Sequence, residues 1–294
     1  MNKYTKLLFI GLASVVLNLI AFSAFAEIPV WEVIKGKSSY ILFGSVHAFE
    51  TPVPWLTKDL REKIVKSDTI FMEVRPEENK HRNIVPLLDK YAFLTDQQSI
   101  TDFIRQETNR QLTDVAKRTN FPEKSLNHFR PWFAAIVFSQ YLEEKAELRP
   151  EIGVEATMVG LARTHNIKVI GLETNEARFR LMAGLDNKAQ DKLFYQSLIE
   201  AENYADEFNE LVMAYLDGDT QKLDELIKRG MPDEVSIKEA FLYERNRRWA
   251  GKIDDYFSKG LNNAVVVVGI AHMVGKNSVI DLLQRKGFNV RRIQ

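Results

Sequence analysis

The chain has 294 residues, 45% hydrophobic and 27% charged, with 40 lysines and arginines matched by 40 aspartates and glutamates. That balance belongs to an ordinary globular chain and excludes a disordered, collagen-like or coiled-coil protein. There is no cysteine, so disulfides, thiol chemistry and cysteine-ligated zinc are excluded as well.

The chain opens with Lys3 and Lys6, an apolar run from Leu7 to Phe22, and then Ala24-Phe25-Ala26. This is the charged, apolar and small-residue order of a secretory signal over residues 1–26. The alternative is an uncleaved anchor, since the run approaches the roughly 20 residues that span a bilayer. Small residues at the cleavage position and Asn18 within the run favour removal, and the rest of the chain is expected in the periplasm or secreted. Taking Lys3 and Lys6 from the 40 basic residues leaves 38 against 40 acidic ones, so no basic surplus points to nucleic acid. No later stretch is apolar for long enough to cross a membrane.

Beyond the signal, Ser39 to Phe43 reads as a short buried strand, followed by Gly44-Ser45-Val46-His47 and the turn-prone Thr51-Pro52-Val53-Pro54. Leu56, Leu60 and Ile64 then share one helical face, and Thr69 to Val74 reads as a second strand. A strand, helix, strand unit favours a parallel pair. Residues from about 84 to 147 are mostly helical in pattern. A helix through Val154, Met158, Leu161 and Ala162 leads to the strand Lys168 to Leu172 and to Glu173. Residues from about 175 to 249 again read as helices whose many charges mark solvated faces. The C-terminal segment repeats the layout of the first: strand Ala264 to Val268, Gly269-Ile270-Ala271-His272, a helix through Val279, Leu282 and Leu283, and strand Phe288 to Ile293. The whole predicts a single α/β domain over 27–294, with helical insertions at about 84–147 and 175–249.

Four side chains able to do chemistry stand at or just past strand ends: His47, Glu73, Glu173 and His272. Ligands of open α/β sheets bind outside the carboxyl ends of the strands, so these distant residues are expected to converge there. Two imidazoles with one or two carboxylates suit a divalent metal that keeps a position open for water or substrate. The glycine three residues before each histidine suits close backbone approach. Glu73 lies in a strand apolar enough that burying it unpaired would cost several kcal/mol. Glu173 is either a site residue or a cap for the helix beginning near Thr174. His81, His128 and His165 are read as surface or helix-end residues. Neither H-E-x-x-H, G-x-S-x-G nor a P-loop occurs.

The Gly44 to His47 element with Pro52 and Pro54, the strand ending in Glu73, Ile170-Gly171-Leu172-Glu173-Thr174, the Arg245-Asn246 pair and Val268 to Gly275 together resemble the TraB/GumN family, which includes the TIKI proteases. The resemblance runs from about Trp31 to the C-terminus. It implies a mixed, largely parallel sheet like that of the ChaN and erythromycin-esterase group. It also implies a metal-dependent hydrolase of peptides or proteins, with manganese or cobalt as the activating ion and zinc or iron as further candidates. Carried over to this chain, it makes His47, His272 and Glu73 the metal-site residues, and Arg245 and Asn246 contacts to substrate or to a ligand's surroundings. Gly153-Val154-Glu155 departs from the family's usual Gly-Ile-Asp, which leaves the role of Glu155 open. It could be only a first-turn carboxylate favoured by the helix dipole.

The expected activity is therefore hydrolysis of a peptide or protein amide bond, with Glu73 or Glu173 moving the proton. The same chemistry would serve a non-peptide ester or amide. The competing reading is a binding protein without turnover that sequesters a secreted peptide or assists polysaccharide export. Oligomeric state is not legible, because a dimer face and a core-facing helix leave the same apolar stripe.

Overall fold

The computed structural model describes residues 26–294; the signal segment read at 1–26 thus lies outside the described residues but for Ala26. Six strands, β1 (Val30–Lys35), β2 (Ser38–Ser45), β3 (Thr69–Met72), β4 (Lys168–Gly171), β5 (Asn263–Gly269) and β6 (Asn289–Arg292), form one sheet in the order β4-β3-β5-β2-β1-β6. Neighbours from β4 to β2 pair in parallel, while β1 runs antiparallel to both β2 and β6. The fold is α/β with a mostly parallel sheet.

The position of β5 corrects one sequence expectation. The first strand–helix–strand unit gives two strands of the same direction, β2 and β3, but they are not neighbours; β5 lies between them. Its Ala264-Val265-Val266-Val267-Val268 run is at most 1% exposed at every residue. Successive residues of a strand face opposite sides, so such a run needs cover on both faces, which only the middle of the sheet supplies. The strand β1, unforeseen in the sequence, closes the other side by pairing Val30–Lys35 with β2.

The helices follow the expected segments. They are α1 (Lys58–Val65), α2 (His81–Tyr91), α3 (Gln106–Thr119), α4 (Pro131–Lys145), α5 (Val154–Thr164), α6 (Asn175–Ala183), α7 (Asn187–Ile199), α8 (Tyr204–Leu216), α9 (Thr220–Gly230), α10 (Val235–Lys238), α11 (Glu244–Ser258) and α12 (Val279–Arg285). Between α10 and α11, residues Glu239–Tyr243 form a π-helical segment. Leu60 and Ile64 of α1, Val154 and Met158 of α5, and Trp249 and Ile253 of α11 join the strands in one core. The insertion helices α3, α4 and α7 build a second core of their own, around Leu112, Phe138 and Phe194. No helix among the described residues is long and apolar enough to cross a membrane.

The first Gly-x-x-His element lies beside the second: Gly44 and Ser45 of β2 pair in register with Val268 and Gly269 of β5. A Cβ on Gly44 would stand 2.7 Å from the Ile270 Cα, so the two chains pack backbone against backbone there. Gly153, the N-cap of α5, meets the first element from the other side. A Cβ there would stand 1.9 Å from the His47 carbonyl oxygen, and the Val154 N–H donates to the Val46 carbonyl at 3.1 Å. Gly153→Ala is therefore expected to destabilise the fold by about 1–3 kcal/mol, since the added methyl must push the His47 backbone aside. Urea unfolding of the variant checks this, and an unchanged midpoint would contradict the contact.

Candidate active site

The parallel strands β2 to β5 end along one edge, and the residues that follow them carry the candidate chemistry. Glu73 follows β3 directly, Glu173 stands two residues beyond β4, and His272 closes the 3-10 turn after β5. What draws them together comes from α11. Arg245 donates from Nε and Nη2 to Glu173 Oε1 at 2.9 and 2.6 Å, and from Nη2 to Glu73 Oε2 at 2.6 Å. Its Nη1 reaches His272 Nε2 at 3.2 Å and donates to the Phe241 carbonyl of the π segment at 3.0 Å. A guanidinium has five N–H groups, and here each has an acceptor. The plane of Arg245 also lies over the Trp249 ring, 4.6 Å from its centroid.

The next residue, Asn246, fixes the imidazole. Its Nδ2 donates to the Asn277 carbonyl at 2.9 Å, which leaves Oδ1 to accept from His272 Nδ1 at 2.6 Å. The proton then sits on Nδ1, and Nε2 presents its lone pair to Arg245. Burial drives the His272 pKa down to about 3, against the attraction of Glu73, so the ring is neutral. Burial alone would raise Glu73. The Arg245 cation, then His272, and the Gly269 N–H that donates to Oε1 at 2.8 Å override it and hold the carboxyl near 2, ionised.

Glu173 differs from Glu73 in access. Its side chain is 3% exposed, and both oxygens are taken, Oε1 by Arg245 and Oε2 by Arg248 at 3.2 Å. It therefore anchors Arg245. The N-cap of α6 is Thr174, whose side chain accepts from the Ala177 N–H, so Glu173 is not the cap of that helix. Glu73 instead lines a pocket of about 220 Å³ together with His47, Glu155 and Arg178. His47 is exposed there, and among the described residues its ring has no hydrogen-bond partner. Glu155 sits in the first turn of α5 as expected, and its Oε1 accepts from Ser45 Oγ at 2.7 Å. His81, His128 and His165 are exposed, with His165 the C-cap of α5.

The geometry thus brings Glu73, Glu173, Arg245, Asn246 and His272 into one network and leaves His47 across the pocket from it. This arrangement does not fit the divalent ion that the motifs imply. Among the described residues no three His, Asp or Glu side chains are disposed to hold one. The cation at the junction of Glu73, Glu173 and His272 is Arg245 itself, which donates toward the very lone pairs a metal would need.

Sequence reading did not single out Arg178 or Arg248. Both lie in helices whose charges repeat at every turn, and spacing alone does not separate an inward guanidinium from a solvated one. Arg245 and Asn246 correct the broader expectation of solvated faces: they are 5% and 1% exposed.

A mostly parallel α/β sheet with two Gly-x-x-His turns side by side, and glutamates after the neighbouring strands, defines the class of protein. The match of residues 29–292 to the TraB/PrgY/gumN family then places it: the chain belongs to that family. It is 20% identical over 251 residues to the "Uncharacterized protein YbaP" of Escherichia coli (strain K12), covering 85% of this chain and 90% of that one, and equally so to the protein of the same name from Shigella flexneri. No solved structure matches the chain.

Two outcomes follow from the network. Arg245→Met removes the partner of two carboxylates, one of them fully enclosed, and is expected to cost about 3–5 kcal/mol in urea unfolding. The second concerns pH. His272 is protonated below about 6.5 when unfolded but only near 3 when folded, so stability contributed by its neutral state declines as pH falls through that window. Glu73, lowered from 4.5 to about 2, adds a further loss between those values. Unfolding free energy should fall from pH 6.5 downward, and His272→Gln should flatten the slope between 6.5 and 4.5; an equal slope in the variant would contradict the assignment.

Proposed function

We propose that the protein is an exported hydrolase of peptide or protein amide bonds, acting in the pocket between His47 and Glu73. The observation that carries this reading is an ionised carboxylate, pinned on both oxygens, facing the same small pocket as an unengaged imidazole. Glu73 is held by Arg245 and the Gly269 N–H, so its orientation is set before substrate arrives. A carboxyl that loses its proton near pH 2 is a weak base, which suits it to accept a hydrogen bond from the attacking water and to stabilise positive charge beside it.

The proton itself goes to His47, the residue type most used for such transfer, and returns from it to the leaving amine. His272 and Asn246 position the strand-end network and do not touch the substrate. Glu173 takes no proton in this scheme, because both its oxygens face guanidinium groups. Manganese or cobalt, as the resemblance implies, would bring Lewis-acid polarisation of the scissile carbonyl, but no step is routed through an ion for which the donors are not disposed.

The test uses purified protein and a library of peptides, with manganese, with cobalt and with a chelator. Cleavage is expected, and His47→Ala and Glu73→Gln should each lower it by about 10²-fold or more. Full activity in both variants would overturn the reading. Binding of a peptide by wild-type protein with no cleavage in any arm would instead identify a sequestering protein. Activity that appears only with the metal would require Arg245 to leave the junction it occupies.

A further inference from the structure

Arg178, on α6, faces the pocket without a carboxylate in direct contact, although Glu73 and Glu173 attract it from a distance. Its Nη2 donates to Asn175 Oδ1 at 2.7 Å, and among the described residues no carboxylate oxygen lies within ion-pair distance of its guanidinium. Asn175 is wholly buried and held three ways. Its Nδ2 donates to the Glu78 carbonyl at 3.1 Å and to Asn79 Oδ1 at 2.9 Å, and its N–H donates to Glu78 Oε2 at 3.2 Å. A fixed amide therefore aims Arg178, which lines the same 220 Å³ pocket as Glu73 and His47.

The neighbouring ion pairs do not include Arg178. Glu73 and Glu173 are consumed by Arg245 and Arg248. Lys252 donates to the Gly171 carbonyl at 2.8 Å, and Glu155, the other pocket carboxylate, accepts from Ser45 through Oε1 and makes no ion pair with Arg178 among the described residues. Arg178 remains, partly desolvated, with N–H groups unspent. Holding a guanidinium out of water without a carboxylate in contact is unfavourable, and the group that relieves it is an anion presented from the pocket. The planar fork matches a carboxylate with two parallel hydrogen bonds.

We propose that Arg178 anchors a carboxylate of the substrate, so that the pocket takes acyl compounds bearing a free carboxylate close to the bond that is cut. This rests on the hydrolase reading above. The carboxylate is either the C-terminus of a peptide or an acidic side chain beside the scissile bond; the chemistry of recognition is the same.

Three peptides of one length separate the sources: one with neutral side chains and a free C-terminus, the same peptide amidated, and an amidated peptide carrying one glutamate. Each is assayed for cleavage and, on the intact protein, for its effect on the Arg178 Nε–Hε resonance. The fully neutral peptide is expected to be at least about tenfold poorer in kcat/KM than one of the other two, and the better of those names the source. Arg178→Gln, whose melting temperature verifies its fold, should bring all three to the neutral level, and Arg178→Lys should restore part of the difference. Equal handling of the three by wild-type protein, or discrimination that survives in Arg178→Gln, overturns the proposal. If no peptide is cut, the hydrolase reading fails by itself. The carboxylate site then stands on the resonance, which a carboxylate peptide should shift and the neutral one should not; absence of that shift sinks it.

Discussion

Arg245 is the interaction on which the remainder of the site depends, because one guanidinium joins Glu73, Glu173 and His272, at the ends of β3, β4 and β5, to α11. Burying such a cation is costly, and the two glutamates offset that cost only because all five N–H groups find acceptors. The same contacts set two protonation states in opposite senses. Glu73 is charged beside Arg245, and His272, next to both, is neutral. Titrations pushed apart in this way occur at functional sites and also in structural ion-pair networks such as the one Arg245 organises.

Rigidity and access are divided between two sides of one pocket. The network on α11 and the strand ends is buried and hydrogen-bonded throughout. His47 is held by its backbone, which Gly153 presses against, while its ring stays open to solvent. Glu73 belongs to both halves: one oxygen is bound to the guanidinium, and the side chain still faces the pocket. In the proposed hydrolase, an immobile acceptor paired with a freer imidazole would divide the work of moving a proton, since only the second group has to follow the leaving amine.

Much of this was legible in the chain because strands announce themselves by apolar runs, and their last residues fall where ligands bind. Val265 to Val268 made β5 plain, and the glycine before His47 proved to mark a close backbone contact with Ile270, while the one before His272 lies against the Glu73 side chain. Strand order was less legible. β5 comes late in the chain yet enters between β2 and β3, and nothing local to either of those encodes the gap it fills. The inward arginines were the least legible, since α6 and α11 carry charges on several faces and the residue that turns inward is chosen by tertiary contact. Arg245 could be named beforehand only through family resemblance, whereas Arg178 required the fold.

The π segment at Glu239–Tyr243 has a bearing on how this protein and its relatives can vary. Such a segment holds one residue more than the α turn it replaces, and each residue of an α-helix advances the chain by about 100°. Losing a single residue there would twist α10 against α11 by that angle, so that Ile237 and the Arg245-Asn246 pair could not both face inward. Length in this short stretch is therefore under tighter constraint than side-chain identity. Gaps in comparisons of related chains should avoid it, even though the residues themselves are mostly only half-buried.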